Sequence, residues 1–178
     1  MSPRWLGRLL DSSHADASLS AWNILDSPRD LILTSTSFDD GGALPRRFAG
    51  RGVGDNVSPA LSWSGVPVEA DHLVVIVEDV DVPLARPLIH SLSILDADAV
   101  GVPEGGLAAG APDVTHLRTL QGRGYQGPRP IVGHGPHRYR FMVFAVEGDI
   151  DTSSTRHAVE SMVGRVVARG RLVGTYER

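Results

Sequence analysis

The run HLVVIVED, residues 72–79, constrains this chain more than any other stretch. Leu73 to Val77 are all aliphatic and mostly β-branched, which suits a strand and fits a helix poorly. Successive strand residues point to opposite faces, so Leu73, Val75, Val77 and Asp79 share one side while Val74 and Ile76 take the other. Such a run is fit for a strand buried on both faces. One polar group, Asp79, then stands at the end of an otherwise apolar row.

Other segments repeat the strand pattern. LILTSTSF begins at residue 31, LIHSLSIL covers 88–95, and YRFMVFAVE covers 139–147. Between them lie connections dense in glycine and proline, such as DDGGALPRRFAGRGVGDNVSP, DVPLARP and VPEGGLAAGAPD. Several strands separated by such turns predict a mainly β sandwich. One helix is expected late, in STRHAVESMVGRVVAR. There Val159, Met162, Val163, Val166 and Val167 form an apolar stripe, Ser153 or Ser154 can cap the start, and Gly170 suits the stop. RLVGTYE then fits a short last strand.

The first thirty residues differ. Trp5, Leu6, Leu9 and Leu10, then Leu19, Trp22, Ile24 and Leu25, recur at roughly helical spacing. The expectation is an N-terminal helical extension over 1–30, packed on its own domain or on a second subunit as a homodimer, with the main domain over 31–178.

Composition removes whole classes of chemistry. The chain has 178 residues and no cysteine, so disulfides and thiolate sites are excluded. All seventeen basic residues are arginine, which removes lysine Schiff bases and the lysine-dependent phosphate loop. A net charge of -4 with scattered arginines gives no basic stripe, so no nucleic-acid partner is expected. No apolar run reaches membrane-span length, and polar residues interrupt the N-terminal leucines. The expectation is a soluble cytoplasmic protein without integral membrane contact.

Three strand regions each set a polar side chain among apolar neighbours. Asp79 ends one; His90 shares its expected face with Leu88, Leu92 and Ile94; His137 and Tyr139 share theirs with Phe141, Val143 and Ala145. EDVDVP (78–83) packs Glu78, Asp79 and Asp81 together, a repulsive arrangement that calls for an offsetting imidazolium, a metal or a proton. In GYQGPRP (124–130), Gly124 and Gly127 offer N–H groups to an anion while Pro128 and Pro130 stiffen the path. A solvated turn for the first segment and a packed crossover loop for the second are the plainer alternatives.

Taken in order, SPALSWSGVP (58–67), DVDVP (79–83), His90, GYQGPRP (124–130) and GPHRY (135–139) resemble the phosphatidylethanolamine-binding protein family, which includes the Raf kinase inhibitor proteins and bacterial relatives. The resemblance covers roughly residues 31–178. It implies a large and a small antiparallel sheet, a C-terminal helix, and one anion pocket for phosphate, acetate or phosphoethanolamine-like groups. The pocket would use Asp79, His90, Gly127, Pro128, His137 and Tyr139, with Asp81 and Pro83 shaping the loop and Trp63 packing. Departures fall at Val80, where the family has proline; at Ser91, where an aromatic is usual; and at Arg129 and Ile131.

The function expected is binding of a small phosphate- or carboxylate-bearing ligand, without enzymatic activity, cofactor or metal. A regulator of a kinase or serine protease is the alternative, and a zinc hydrolase built on His90, His134, His137, Asp79 and Asp81 is the weakest. His134 is read as part of an insert, Arg129 to Pro136, rather than as a pocket group.

Overall fold

The computed structural model describes residues 4–10 and 13–178. In chain order the elements are α1 (Arg4–Leu10), α2 (Ala21–Ile24), β1 (Ile32–Thr34), β2 (Leu61–Ser64), β3 (His72–Asp79), β4 (Leu88–Asp96), β5 (Gly101–Val102), β6 (Thr115–His116), β7 (His137–Val146), α3 (Thr155–Met162) and β8 (Val166–Tyr176). The strands form an antiparallel three-stranded sheet, β1-β2-β5, and an antiparallel five-stranded sheet, β6-β4-β3-β7-β8. The fold is mainly β, as expected.

Strand β3 has the bounds read from the sequence and lies between β4 and β7. Its two faces serve two cores. Leu73, Val75 and Val77, with Phe141 and Val143, meet Leu33, Leu61 and Trp63 of the small sheet. Val74 and Ile76, with Met142 and Phe144, are covered by Leu25, Ala158 and Met162 from the helical segments. Each such side chain, fully buried, contributes about 1.5–3 kcal/mol. Trp63 packs as expected, and its indole N–H donates to Ala99 O at 2.7 Å.

The late helix is shorter than its apolar stripe. Ser154 caps it by accepting from His157 N at 3.1 Å, but Val163 leaves the helical region at ψ 125° and Gly164 turns at φ +74°. Val166 and Val167 belong to β8, which pairs with β7 along its length. A β-branched segment facing a long partner strand gains a full ladder of hydrogen bonds, and this outweighs one more helical turn. Gly170 is therefore mid-strand, opposite Val143. A Cβ there would stand 2.8 Å from Leu31 O, so the glycine serves close strand crossing rather than a helix stop.

The N-terminal arm divides in two. In the second half Leu25 is fully buried and Trp22 lies under the guanidinium of Arg169, 4.2 Å from its ring centre. Ser20 caps α2, donates to Glu78 Oε2 at 2.5 Å, and receives Arg140 Nη1 at 2.8 Å. The first half differs from expectation: Trp5 and Leu9 are 62% and 70% exposed, and the side chain of Leu6 lies outside the described residues. Helix α1 approaches the body through Gly7, where a Cβ would stand 2.3 Å from Val132 O. Among the described residues no helix is long and apolar enough to cross a membrane.

Replacing Phe144, fully buried, by alanine is expected to cost about 3–5 kcal/mol in urea unfolding. Ile32→Ala on the exposed side of β1, 68% exposed, should stay within about 0.5 kcal/mol.

Candidate functional site

One end of the large sheet gathers the polar groups. Asp79 ends β3 and is the register partner of Tyr139 on β7, two residues after His137. On the other side of β3 the pairing shifts: Val77 faces Ser91 but Glu78 faces Ile89. His90 is the unpaired residue of this bulge. Leu92 and Ile94 pair with Ile76 and Val74 and pack toward the helices, whereas His90 meets Tyr139 edge-on at 5.3 Å. Simple alternation along β4 had His90 on the face of Leu92; the bulge moves it to the face of Asp79.

The three crowded carboxylates are buried and separately satisfied. Glu78 accepts from Ser20 Oγ and, at 3.2 Å, from Ala21 N. Burial pushes its pKa up, against the hydrogen bonds and the charge of Arg140. Asp79 Oδ1 takes the N–H of Asp81 at 2.9 Å, and Oδ2 takes His137 Nδ1 at 2.7 Å. Asp81 takes the backbone N, Nε and Nη2 of Arg138, at 2.7, 2.9 and 2.7 Å. Burial alone would raise the Asp81 pKa, but the hydrogen bonds and charge of Arg138 prevail and hold it low. Offset thus comes from an imidazole for Asp79 and a guanidinium for Asp81. Among the described residues no group of three or more carboxylates and imidazoles is arranged to hold a metal.

Among the described residues, two buried polar atoms at this end have no partner. His90 Nδ1 lies 2.9 Å from Gln126 O, which can only accept, so Nδ1 carries the proton. His90 Nε2 and the Tyr139 hydroxyl are buried and unbonded among the described residues. Burial lowers the His90 pKa, opposed chiefly by Asp79. Burial, then the Asp79 charge, pushes Tyr139 far up, so it remains a phenol. Both groups line a cavity of about 220 Å³ with Asp79 and His137 at the floor. Its rim includes the partly exposed Pro83 and Ile131 and the exposed Arg129.

Two expected wall residues do not line the cavity. Gly127 N donates to Asn56 Oδ1 at 2.9 Å, and a Cβ on Gly127 would stand 2.0 Å from Phe48 O. Pro128 O accepts from Gly50 N at 2.9 Å. They hold the loop from behind, and Arg129 to Ile131 face the space. Gly124 likewise packs, its absent Cβ 2.5 Å from Ala109 N. Ser91 does not line the cavity: it is buried at the core beside Ser93, whose Oγ lies 2.8 Å from His116 Nδ1.

His134 was read as part of an insert, but its Nδ1 lies 2.7 Å from His137 Nε2. Gly133 and Gly135, at φ +81° and +92°, fold GHGPH so that the two rings meet. The i, i+3 histidine spacing was visible in the sequence; the turn that joins them depends on those two left-handed glycines.

A two-sheet antiparallel sandwich, with helices on the outer face of its larger sheet and a buried Asp/His/Tyr cavity at that sheet's end, is the class these features define. Residues 34–177 match the family described as phosphatidylethanolamine-binding protein, and the chain belongs to that family. A UPF0098 protein of Methanothermobacter thermautotrophicus is 34% identical over 154 residues, spanning 83% of this chain and 99% of that protein. The structure of a phosphatidylethanolamine-binding protein homologue from Chlamydia trachomatis superposes with a TM-score of 0.72 at 31% identity, covering 84% of this chain and 99% of the other. Escherichia coli YbcL gives a TM-score of 0.77 at 25% identity with the same coverages.

Because the Asp81 pKa is lowered on folding, the stability it adds is present above its unfolded value and lost as pH falls through the folded one. Arg138→Ala should cost about 1–3 kcal/mol in urea unfolding at pH 7, the Arg138 side chain being 59% exposed and partly screened. That difference from wild type should shrink as pH falls below about 4.

Proposed function

We propose that the protein binds a small anion, phosphate- or carboxylate-bearing, in the cavity between Asp79, His90, His137 and Tyr139, and that it binds rather than transforms its ligand. The observation that carries this reading is the pair of buried, unpartnered polar atoms, His90 Nε2 and Tyr139 OH, facing one space. An orphaned buried donor or acceptor costs about 1–3 kcal/mol, and a ligand that bonds both recovers it. At about 220 Å³ the cavity is smaller than the usual drug-sized pocket, which favours a head group or free anion over a larger molecule.

The charge balance fixes how such a ligand would enter. Tyr139 is a phenol and donates. Neutral His90, with its proton on Nδ1, offers only a lone pair at Nε2, which repels an anionic oxygen. Asp79 adds its own negative field, in part balanced by His137. Anion binding therefore draws a proton onto His90, turning Nε2 into a charged donor.

The sign follows: the empty-pocket pKa of His90 is lowered by burial and the bound one is higher, so affinity is greatest at low pH and falls between the two values. Sulfate, a dianion throughout, is the suitable probe for calorimetry from about pH 5.5 to 8.5. Its Kd should rise up to roughly tenfold per pH unit. Tyr139→Phe should weaken binding about tenfold, and His90→Gln should flatten the pH dependence. A flat wild-type profile would count against the reading.

A further inference from the structure

We propose that the N-terminal arm is a strap that an anion must displace: the Leu10 carbonyl holds His134 against His137, so that arm docking and anion binding compete for the N–H at His137 Nε2. The inference rests on the anion-binding reading and adds a regulation to it.

Four groups form one hydrogen-bonded line. Leu10 O lies 2.7 Å from His134 Nε2, His134 Nδ1 lies 2.7 Å from His137 Nε2, and His137 Nδ1 lies 2.7 Å from Asp79 Oδ2. A carbonyl can only accept, so His134 Nε2 carries a proton. An ionised Asp79 also only accepts, so His137 Nδ1 carries one. The central bond needs a third, and two neutral imidazoles own only two. The line thus holds one extra proton, paired with Asp79. With His134 uncharged, that proton is the Nε2–H of His137, committed to His134.

The arm supplies the outer end of this line and little else nearby. Leu10 ends α1, a helix too short to persist unaided, whose Trp5 and Leu9 are exposed. Further along the arm, His14 and Asp16 make contacts of their own. His14 stands edge-on to His134 at 5.7 Å and 3.9 Å from Asp81 Oδ1, while Asp16 N donates to Ala85 O at 3.4 Å. Asp81 is already held by Arg138, so the His14 contact is a weak second tie. Gly7 permits the close approach, since a Cβ would strike the backbone of Val132 and Gly133 at 2.3 and 2.7 Å. With the strap in place, the cavity offers an anion Tyr139 and, once protonated, His90. With the strap lifted, His134 loses its outer anchor and can leave the His137 Nε2–H, which then serves an anion as a third donor while Asp79 still holds the ring.

Two full-length variants lift the strap without altering a cavity wall, because neither Gly7 nor His134 lines the space. Gly7→Ala wedges α1 away, and His134→Ala removes the competing acceptor. Sulfate titrations at about pH 6.5 should show both binding roughly three- to tenfold more tightly than wild type. In wild type, saturating sulfate should speed amide exchange over residues 4–10. Equal affinities in the three proteins, or arm exchange that sulfate leaves unchanged or slows, would overturn the strap while leaving the pocket reading intact. Absence of sulfate binding in all three would overturn both. Should His134→Ala fail to fold, Gly7→Ala and the wild-type exchange experiment decide the matter.

Discussion

The last rung of the β3–β7 ladder, where Asp79 faces Tyr139, is the constraint on which the pocket depends. Everything before that rung is apolar on the inter-sheet face: Leu73, Val75 and Val77 against Phe141, Val143 and Ala145. A strand buried on both faces has no water to which it can release a carboxylate at its end, so Asp79 must find its partners inside the protein. It finds the N–H of Asp81, which bends the chain away from the sheet, and the imidazole of His137, one strand over. The turn that follows β3 and the orientation of His137 are therefore set by one carboxylate.

The same logic explains why the neighbouring carboxylates do not compete for the pocket. Glu78 points to the opposite face, where the cap of α2 meets it, and so ties the second half of the N-terminal arm to the sheet. Asp81 lies past the strand end and engages Arg138, whose side chain alternates away from His137 and Tyr139. Three acids within four positions become a helix anchor, a pocket wall and a loop clamp. The β-bulge at His90 completes the arrangement. Without the extra residue, β4 would deliver a leucine or isoleucine row to one face and serines to the other, and no imidazole would reach Tyr139.

Much of this was legible in the sequence, and what was not has identifiable causes. Strand β3 could be bounded to the residue because an unbroken aliphatic run between polar ends has few other solutions. The late helix was read too long because Val166 and Val167 fit both a helical stripe and a strand. Only the length of the facing strand β7 decides between them, and that is not local information. Strict alternation puts His90 on the wrong face, since a bulge is invisible to it. Gly127 and Gly124 were read as donors to a ligand, yet they are there because neighbouring backbone leaves no room for a Cβ. Arg138 and Ser20 escaped notice because each acts on a carboxylate from a different element, at a separation in sequence of 57 or 58 residues.

His134 differs in kind from these omissions. His134 falls between the GYQGPRP and GPHRY motifs shared with the family, and nothing in their spacing distinguishes it from a loop residue. What gives it consequence is a proton count. A carbonyl at one end and a carboxylate at the other force two imidazoles to share three protons, and neither end can supply one. Such a line cannot lose its extra proton without breaking a hydrogen bond, nor lose its Leu10 end without freeing His134. The arm outside the family match and the pocket inside it are consequently parts of one electrostatic unit. A pocket that presents its third donor only when the arm is lifted has its affinity set by a segment that reaches it through His134.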